Sequence, residues 1–272
     1  MYRVLTDKEV KDVSLEILLF FDRYCRENGL RYYLAFGTLL GAVRHGGFIP
    51  WDDDIDVYVP RPDYDKMVDS LSDPAGRYVI VSSLKDRTYL NQYAKVLDTW
   101  TNSVSADGDT NPNGLGIDLF PLEGLPSDLC RAEREFHRMN RRWYNVEDRL
   151  ASYYRMKPDS VVSKVKKALG SIAYKSGILS RGMCRLSASP FSADYDSACK
   201  VASIMGEYSG VLNILDKEWF EKTELSFEGY SFICPVGYHD ILSKVYGDYM
   251  QLPPEEERRS THTDKFIWSV TA

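Results

Sequence analysis

Four aspartates fall within five positions of the segment "DDDIDVYV", residues 52–59, and run directly into an apolar strand pattern. Side chains alternate between the two faces of a strand, so Asp54 and Asp56 are predicted to share one face while Ile55 and Val57 face the core. At about 3.3 Å per residue, the two carboxylates lie roughly 6.6 Å apart along the strand. This span suits one or two Mg²⁺ ions, or Mn²⁺ as the alternative, which favour carboxylate oxygens together with substrate phosphates.

Two other interpretations of the acidic segment are weaker. A calcium-binding EF-hand loop also begins D-x-D-x-D, but its sixth position must be glycine and is Val57 here, and its twelfth should be glutamate and is Asp63 here. A solvated acidic loop would not place its acids in register on an apolar strand. The upstream "GTLLGAVRHGG" also favours a site, because Gly37 and Thr38 at a strand-to-helix turn offer backbone N–H groups to a phosphate.

Further candidate residues lie on predicted strands and in the acidic segment. Asp118, between apolar residues in "GIDLF", is predicted to act as a metal ligand or as the base that accepts a proton from an attacking hydroxyl. Lys95 lies inside "YAKVLD", where a lysine is unusual unless its ammonium reaches solvent or a phosphate. Asp52 is predicted to join the metal ligands, whereas Asp53 is predicted to point to the opposite face.

Two residues keep alternative roles. Arg44, which follows the short helix after the phosphate turn, either binds a phosphate through two guanidinium N–H groups or is a surface arginine. Trp51 is either a stacking partner for a base or choline, or a core or gate residue.

Composition limits the classes of protein that fit. The chain has 272 residues and a formal net charge of -6, which argues against a general nucleic-acid binder. Its five cysteines are widely spaced and form no CxxC motif, which indicates reduced thiols in a cytoplasmic protein. We expect no signal peptide, because the early apolar run "LEILLFF" contains Glu16 and is followed by charges, and no apolar run is long enough to span a membrane.

The pattern along the chain predicts an α+β core with an added helical subdomain. Thr6 and Glu9 form a capping box before a helix that should end at Asn28-Gly29. Long helical patterns dominate from about Ser127 to roughly residue 210. We therefore divide the chain into three predicted parts: a catalytic core, a helical subdomain and a C-terminal segment that packs back on the core, at residues 1–126, 127–215 and 216–272. The predicted strands are "RYYLAF", "IDVYV", "RYVIVSS", "QYAKVLD", "GIDLF", "LSF" and "YSFIC".

The order Gly-Thr, Asp-h-Asp and then h-Asp-h, where h is an apolar residue, resembles the nucleotidyltransferase fold of the polymerase-beta type. The longer string "YYLAFGTLLGAVRHGGFIPWDDDIDVYVPRPDY" is similar to the LicD family, which includes the fukutin-type proteins. The strings "YAKVLD", "GIDLFPLEGLP" and "YGDYMQLPP" extend the similarity over much of the chain. The resemblance implies a nucleotidyltransferase-like mixed sheet flanked by helices.

The resemblance also implies an activity. LicD-type proteins transfer phosphocholine, or in relatives a phospho-alditol, from a CDP-linked donor such as CDP-choline to a sugar of a glycan, here a lipopolysaccharide or teichoic acid precursor, with release of CMP. Magnesium would be held by Asp54, Asp56, Asp52 and Asp118. Two alternatives stay open: a true nucleotidyltransferase that releases pyrophosphate, and a non-catalytic glycan-assembly protein.

A basic stretch from Arg155 to Arg185 contains eight Lys or Arg and one acidic residue, Asp159. It is either a solvated helix face or a surface that contacts anionic lipid head groups or a lipid-linked glycan acceptor. The second alternative predicts a cytoplasmic protein at the inner face of the cell membrane.

Overall fold

The structure is a computed structural model that covers most of the chain. The residues it describes are 3–86, 89, 91, 93–104, 110–111, 114–142, 152–153, 156–176, 193–203, 213–259 and 265–269. The α-helices in this part of the chain are α1 Asp7–Asn28, α2 Phe36–His45, α3 Arg61–Ser70, α4 Leu129–Arg142, α5 Val161–Lys175 and α6 Tyr238–Tyr246. The strands are β1 Tyr33–Leu34, β2 Asp56–Pro60, β3 Tyr78–Val81, β4 Ala94–Asp98, β5 Thr101–Val104, β6 Thr110–Asn111, β7 Gly116–Gly124, β8 Lys200–Ser203, β9 Leu215–Asp216, β10 Lys222–Phe227, β11 Tyr230–Pro235 and β12 Lys265–Trp268.

Helix α1 has the ends that its sequence predicts. The Thr6 hydroxyl accepts a hydrogen bond from the Glu9 backbone N–H, and the Glu9 carboxylate accepts one from the Thr6 N–H at 2.8 Å, which completes the capping box. Gly29 ends the helix with φ 62°, a left-handed conformation that glycine adopts without a steric cost. The apolar face of the helix packs into the main core through Val10, Ile17 and other buried residues.

Strand β7 is the centre of the main sheet. One edge of β7 pairs in parallel with β2, and β2 in turn pairs with β1. Its other edge pairs in antiparallel fashion with β4 at residues 116–119 and with β8 at residues 122–124. Strand β3 lies beyond β4, and β9 lies beyond β8. The sheet is therefore mixed, and the predicted α+β class is confirmed.

The C-terminal part of the chain contributes a hairpin and an edge strand. Strands β10 and β11 pair with each other, and Phe227 and Phe232 from this hairpin belong to the same core as α1 and β2. Strand β12 pairs with β5, which also pairs with β6. Residues far apart in sequence thus close over the main sheet. The predicted division into three parts stays a prediction.

The structure differs from the sequence prediction in several elements. The stretch predicted to be helical to about residue 210 contains β8, a four-residue strand of the main sheet, whose sequence "KVAS" shows no strand period. Strands β5, β6, β9 and β12 were not predicted either. The predicted strand "RYYLAF" is shortened to two residues because helix α2 already begins at Phe36. The other predicted strands are present.

The basic stretch is described only in part, and its residues 155 and 177–185 lie outside the described residues. None of the helices in the described ranges is both long and apolar enough to cross a membrane. The four cysteines within those ranges carry free thiols: Cys25, Cys130, Cys199 and Cys234.

A buried ion pair holds the turn between β4 and β5. The Arg77 Nη2 atom lies 2.7 Å from Oδ2 of Asp98, whose side chain is fully buried. The other Asp98 oxygen accepts a hydrogen bond from the Trp100 N–H at 2.7 Å. The Asp98 N–H in turn donates to the carbonyl oxygen of Leu115. This pair therefore fixes the approach of the chain to β7.

We predict that Asp98→Ala lowers the free energy of unfolding by about 3 kcal/mol, because the Arg77 guanidinium keeps only its exposed partner Glu16. The substitution also leaves the Trp100 N–H without its acceptor. The matched control is Asp12→Ala, which removes an exposed pair with Lys8 on α1 and should cost no more than about 0.5 kcal/mol. Urea unfolding of both variants measures the difference. Equal losses in the two variants would contradict a structural role for the buried pair.

Candidate active site

A cavity of about 640 Å³ opens beside the three adjacent central strands β2, β7 and β4 of the main sheet. Its walls combine an acidic side with an aromatic side. Two of its residues come from α1, one from α6 and one from β12, so distant segments close it. The lining residues are Val10, Ser14, Phe36, Gly37, Asp52, Asp53, Asp54, Asp56, Tyr93, Lys95, Gly114, Leu115, Gly116, Asp118, Phe120, Tyr246 and Phe266.

Three charged side chains form a row across three adjacent strands. Asp56 of β2 lies opposite Asp118 of β7, and Asp118 lies opposite Lys95 of β4. Directly paired residues project to the same face of a sheet, so all three reach the cavity. The Lys95 Nζ atom is 2.6 Å from Asp118 Oδ1. The expectation that Asp118 lies on a strand next to "IDVYV" is confirmed.

The acidic segment before β2 lies against the first turn of α2. A Cβ atom on Gly37 would stand 2.6 Å from Oδ2 of Asp52, so a larger residue here would force the Asp52 carboxylate to shift. The Thr38 hydroxyl accepts a hydrogen bond from the Asp56 N–H at 2.9 Å. Through these two contacts, the start of α2 sets the position of the aspartates.

The loop that leads to the aspartates is held by two further glycines. A Cβ atom on Gly41, one turn after Gly37, would overlap the carbonyl oxygen of Gly47. A Cβ atom on Gly47 would overlap the carboxylate of Glu228, which lies at the tip of the β10–β11 hairpin and accepts a hydrogen bond from the Phe48 N–H at 2.9 Å. The loop is thus clamped between α2 and the hairpin.

Repulsion between carboxylates dominates the electrostatics of the cavity. Asp56 is partly open to the cavity, but protein surrounds its carboxyl group, and this desolvation raises its pKa well above the usual range. The nearby charges of Asp54, Asp118 and Asp52 raise the pKa further. Lys95 is the one basic side chain among the described lining residues, and it lowers the pKa only in part.

Lys95 and Tyr93 stabilise the charged form of Asp118. Burial and the charge of Asp54 raise the pKa of Asp118, which stays above its usual value although the Lys95 ammonium and a hydrogen bond from the Tyr93 hydroxyl lower it. Burial alone would lower the pKa of Lys95, but Asp118 and, more weakly, Asp56 raise it above its usual value. Lys95 therefore stays protonated in the cavity.

An aromatic wall faces the acidic side. The rings of Phe36 and Phe120 meet edge to face at 5.1 Å, and Tyr93 packs on Phe120 at 4.6 Å between centroids. Phe36 has a φ of 42°, a left-handed conformation that is strained for a bulky residue. This conformation occurs at the junction of β1 and α2, where the chain turns into the cavity wall.

Tyr246 is a cavity residue that sequence reasoning missed. Burial raises the pKa of its hydroxyl, and the charges of Asp56, Asp52 and Asp54 raise it further, which places the hydroxyl beside the acidic segment. The only signal in the sequence is its position at the start of "YGDYMQLPP". Phe266 of β12 was missed as well, because its strand was not predicted.

The structure does not bring every predicted residue to the cavity wall. Arg44 donates from Nη1 to the carbonyl oxygen of Tyr249 at 2.8 Å, which ties the end of α2 to the C-terminal segment. Trp51 is half-buried between His45 and Arg258, with its ring 6.3 Å from the His45 ring. Thr38 is buried and bonds to the backbone of Asp56. Roles for these three residues in substrate binding stay predictions.

The predicted direction of the Asp53 side chain was wrong. It was predicted to point away from Asp52 and Asp54, but it lines the cavity with them. Strand β2 begins only at Asp56, so the strand alternation used for that prediction does not apply to residues 52–54.

The donor chemistry of the cavity fits a hard divalent cation. In the described ranges, no three His, Cys, Asp or Glu side chains form a preformed metal cage. The carboxylates of Asp52, Asp54, Asp56 and Asp118 nevertheless line one space, and Lys95 offsets part of their mutual repulsion. Oxygen donors with excess negative charge are the environment that Mg²⁺ and Mn²⁺ prefer.

Comparison with known families identifies the domain. The family described as "LicD/FKTN/FKRP, nucleotidyltransferase domain" matches residues 29–153, which contain α2, the acidic segment, β2, β4 and β7. The fold and the acid-lined cavity thus belong to a protein with a nucleotidyltransferase domain.

Comparison with individual proteins extends the similarity to nearly the whole chain. Lipopolysaccharide cholinephosphotransferase LicD of Haemophilus influenzae is 30% identical over 265 residues, which cover 95% of this chain and 96% of that protein. Ribitol 5-phosphate transferase FKRP of Homo sapiens is 32% identical over 98 residues, which cover 35% of this chain and 17% of that protein. The chain belongs to the LicD family, as its sequence motifs indicate, and it is an enzyme of the phosphotransferase class.

We predict that Gly41→Ala lowers both turnover and stability. Helix propensity alone would make alanine more stable by about 1 kcal/mol at this position, so the sign of the change tests the close contact with Gly47. The control is Gly46→Ala, which meets no atom within 4 Å and has only the cost of its left-handed φ of 71°, about 1 kcal/mol. Thermal unfolding and turnover are measured for both. A more stable, fully active Gly41→Ala protein would rule out the clamp.

We predict that Asp56→Asn abolishes turnover and yet stabilises the metal-free protein at pH 7. The folded-state pKa of Asp56 is raised, so its ionised form destabilises the fold at every pH above its unfolded pKa, and the neutral amide removes this cost. Near pH 3, where the carboxyl is protonated in both states, the two proteins should converge. Melting curves in chelator and in Mg²⁺ measure the effect: the ion should stabilise only the wild type. Near-normal turnover of the variant would refute the metal-site assignment.

Proposed function

We propose that this protein transfers phosphocholine from CDP-choline to a sugar hydroxyl of a cell-surface glycan precursor and releases CMP, with Mg²⁺ as cofactor. The name of its Haemophilus influenzae relative supports cholinephosphate as the transferred group and lipopolysaccharide as the acceptor class. The name of the FKRP relative supports a phospho-alditol as the alternative group. Choosing between the two depends on the cavity of this chain.

The observation that favours phosphocholine is the aromatic wall beside the acidic row. Phe36, Tyr93 and Phe120 form a continuous set of ring contacts on one side of the cavity, and Tyr246 and Phe266 add further ring surface. A quaternary ammonium has no hydrogen-bond donor, and aromatic faces bind it through cation–π attraction. An alditol chain would instead need several polar partners for its hydroxyls, and the phenylalanine rings of this wall offer none.

Asp54, Asp56 and Asp118 are assigned as the principal metal ligands, with Asp52 as a further ligand. Asp118 was open as base or ligand, and its place opposite Asp56, in one space with the other carboxylates, supports the ligand role. A bound magnesium ion would neutralise the charge that develops on the donor diphosphate.

The residues of the chain would then orient the reaction. The acceptor hydroxyl oxygen attacks the phosphorus that carries choline while its proton passes to a carboxylate of the cavity. The bond from this phosphorus to the CMP oxygen breaks, and CMP leaves with the bonding electrons. The Lys95 ammonium has three N–H donors, and its ion pair with Asp118 leaves donors for a phosphate oxygen. The Gly37 backbone in the first turn of α2 offers N–H groups to the same phosphates.

The test is a single assay with a panel of donors. Purified protein with MgCl₂ and delipidated lipopolysaccharide oligosaccharide is incubated with CDP-choline, CDP-ribitol, CDP-glycerol or CTP. We expect CMP release and a labelled oligosaccharide with CDP-choline, and a kcat/KM at least about tenfold lower with the alditol donors. Asp56→Asn should be inactive in every arm.

The other outcomes discriminate between the alternatives. Pyrophosphate as the product, from CTP, would make the protein a true nucleotidyltransferase. A preference for an alditol donor would keep the reaction and overturn the assignment of the aromatic wall. No product with any donor, together with tight nucleotide binding, would favour a non-catalytic glycan-assembly protein.

A further inference from the structure

Helix α5 exposes large apolar side chains, whereas its buried positions carry small residues. Five apolar residues of this helix are between 53% and 78% exposed: Val161, Val162, Val165, Leu169 and Ile172. The positions that face inward carry Ser163, Gly170 and Ala173, which are buried. A helix that only packs on its own protein shows the opposite arrangement, with large apolar residues inward.

The exposed residues form one stripe with a lysine on each border. At 100° per residue, the five side chains fall within an arc of about 100° on the helix. Lys166 lies next to one border of this stripe and Lys164 next to the other. The helix has four lysines and no acidic residue, in a chain whose net charge is -6. The sign of the charge on α5 is therefore opposite to that of the protein as a whole.

We propose that α5 binds an anionic lipid bilayer, with its axis in the plane of the surface, its apolar stripe among the acyl chains and its lysines at the head groups. A helix of 15 residues is about 22 Å long, shorter than the hydrocarbon core of about 30 Å, so it lies on the bilayer rather than across it. Lysine stems next to an apolar stripe extend along the apolar surface while their ammonium groups reach the phosphates.

The lysines of α5 also argue against a second copy of the chain as the binding partner of the apolar stripe. Two such stripes packed face to face, in either helix direction, would bring a lysine border against a lysine border. Like charges across an interface are unfavourable, whereas anionic head groups complement both borders at once. Binding to the bilayer should also weaken with salt, because ions screen the attraction of the lysines.

The test is sedimentation of the full chain with vesicles of phosphatidylcholine alone or with phosphatidylglycerol added. The stripe variant is Val165→Ser with Leu169→Ser and Ile172→Ser, and the charge variant is Lys164→Glu with Lys166→Glu and Lys167→Glu. The matched control changes three exposed lysines elsewhere: Lys8→Glu, Lys85→Glu and Lys222→Glu. All changed residues lie at or near the surface, and unchanged melting curves verify that each variant folds.

We expect the wild type and the control to bind the anionic vesicles in a salt-sensitive manner and to bind the neutral ones far more weakly. The charge variant should lose affinity by about a hundredfold or more, and the stripe variant by about tenfold or more. Wild-type binding that is absent, or equal on both vesicles, overturns the proposal. Stripe-variant binding equal to the wild type overturns the insertion of α5. A wild-type dimer that the stripe substitutions dissociate, with no vesicle binding, assigns the stripe to self-association instead.

Discussion

The parallel pairing of β2 with β7 is the contact on which the site depends. It sets Asp56 opposite Asp118, and the antiparallel pairing of β7 with β4 adds Lys95 to the same row. A shift of one residue in either register would move a charged side chain to the opposite face of the sheet, into the apolar core. Because Ile55 and Leu119 are fully buried beside the row, the core itself holds the register. The charges reach the cavity because the apolar neighbours are fixed.

The site is assembled against local costs. The carboxylates of the acidic segment repel one another, Phe36 adopts a left-handed φ, and a Cβ atom on Gly41 would overlap the backbone of the loop. Each of these features is unfavourable or restrictive in the isolated protein, and such features collect at functional sites where a ligand or cation offsets them. The large core formed by α1, the main sheet and the β10–β11 hairpin supplies the stability that tolerates them.

Short-range patterns made part of this structure predictable. The capping box of α1, the glycine at its end and the acidic strand pattern depend on residues within a few positions of one another, and each is present in the structure. The predicted neighbourhood of "GIDLF" and "IDVYV" also held, because each strand is apolar apart from one aspartate and so suits the centre of a sheet. Strand β8 was missed, since four residues without a period form a strand only when β7 is there to pair with them. The side chain of Asp53 was misplaced because the alternation of strand side chains was applied to residues that precede Asp56, where β2 begins.

The sequence by itself determined the chemistry of this protein: the aspartates, the Gly-Thr turn and the lysine are local motifs, and their similarity to the LicD family follows from the letters alone. Only the tertiary structure decided which of these residues meet. It brought Tyr246 and Phe266 to the aspartates from the C-terminal segment, and it directed Arg44 to a backbone carbonyl instead of the cavity. It also turned the valines of α5 outward. Such outcomes depend on contacts between residues separated by a hundred or more positions, and these contacts are set by the packing of the whole core, which no local pattern records.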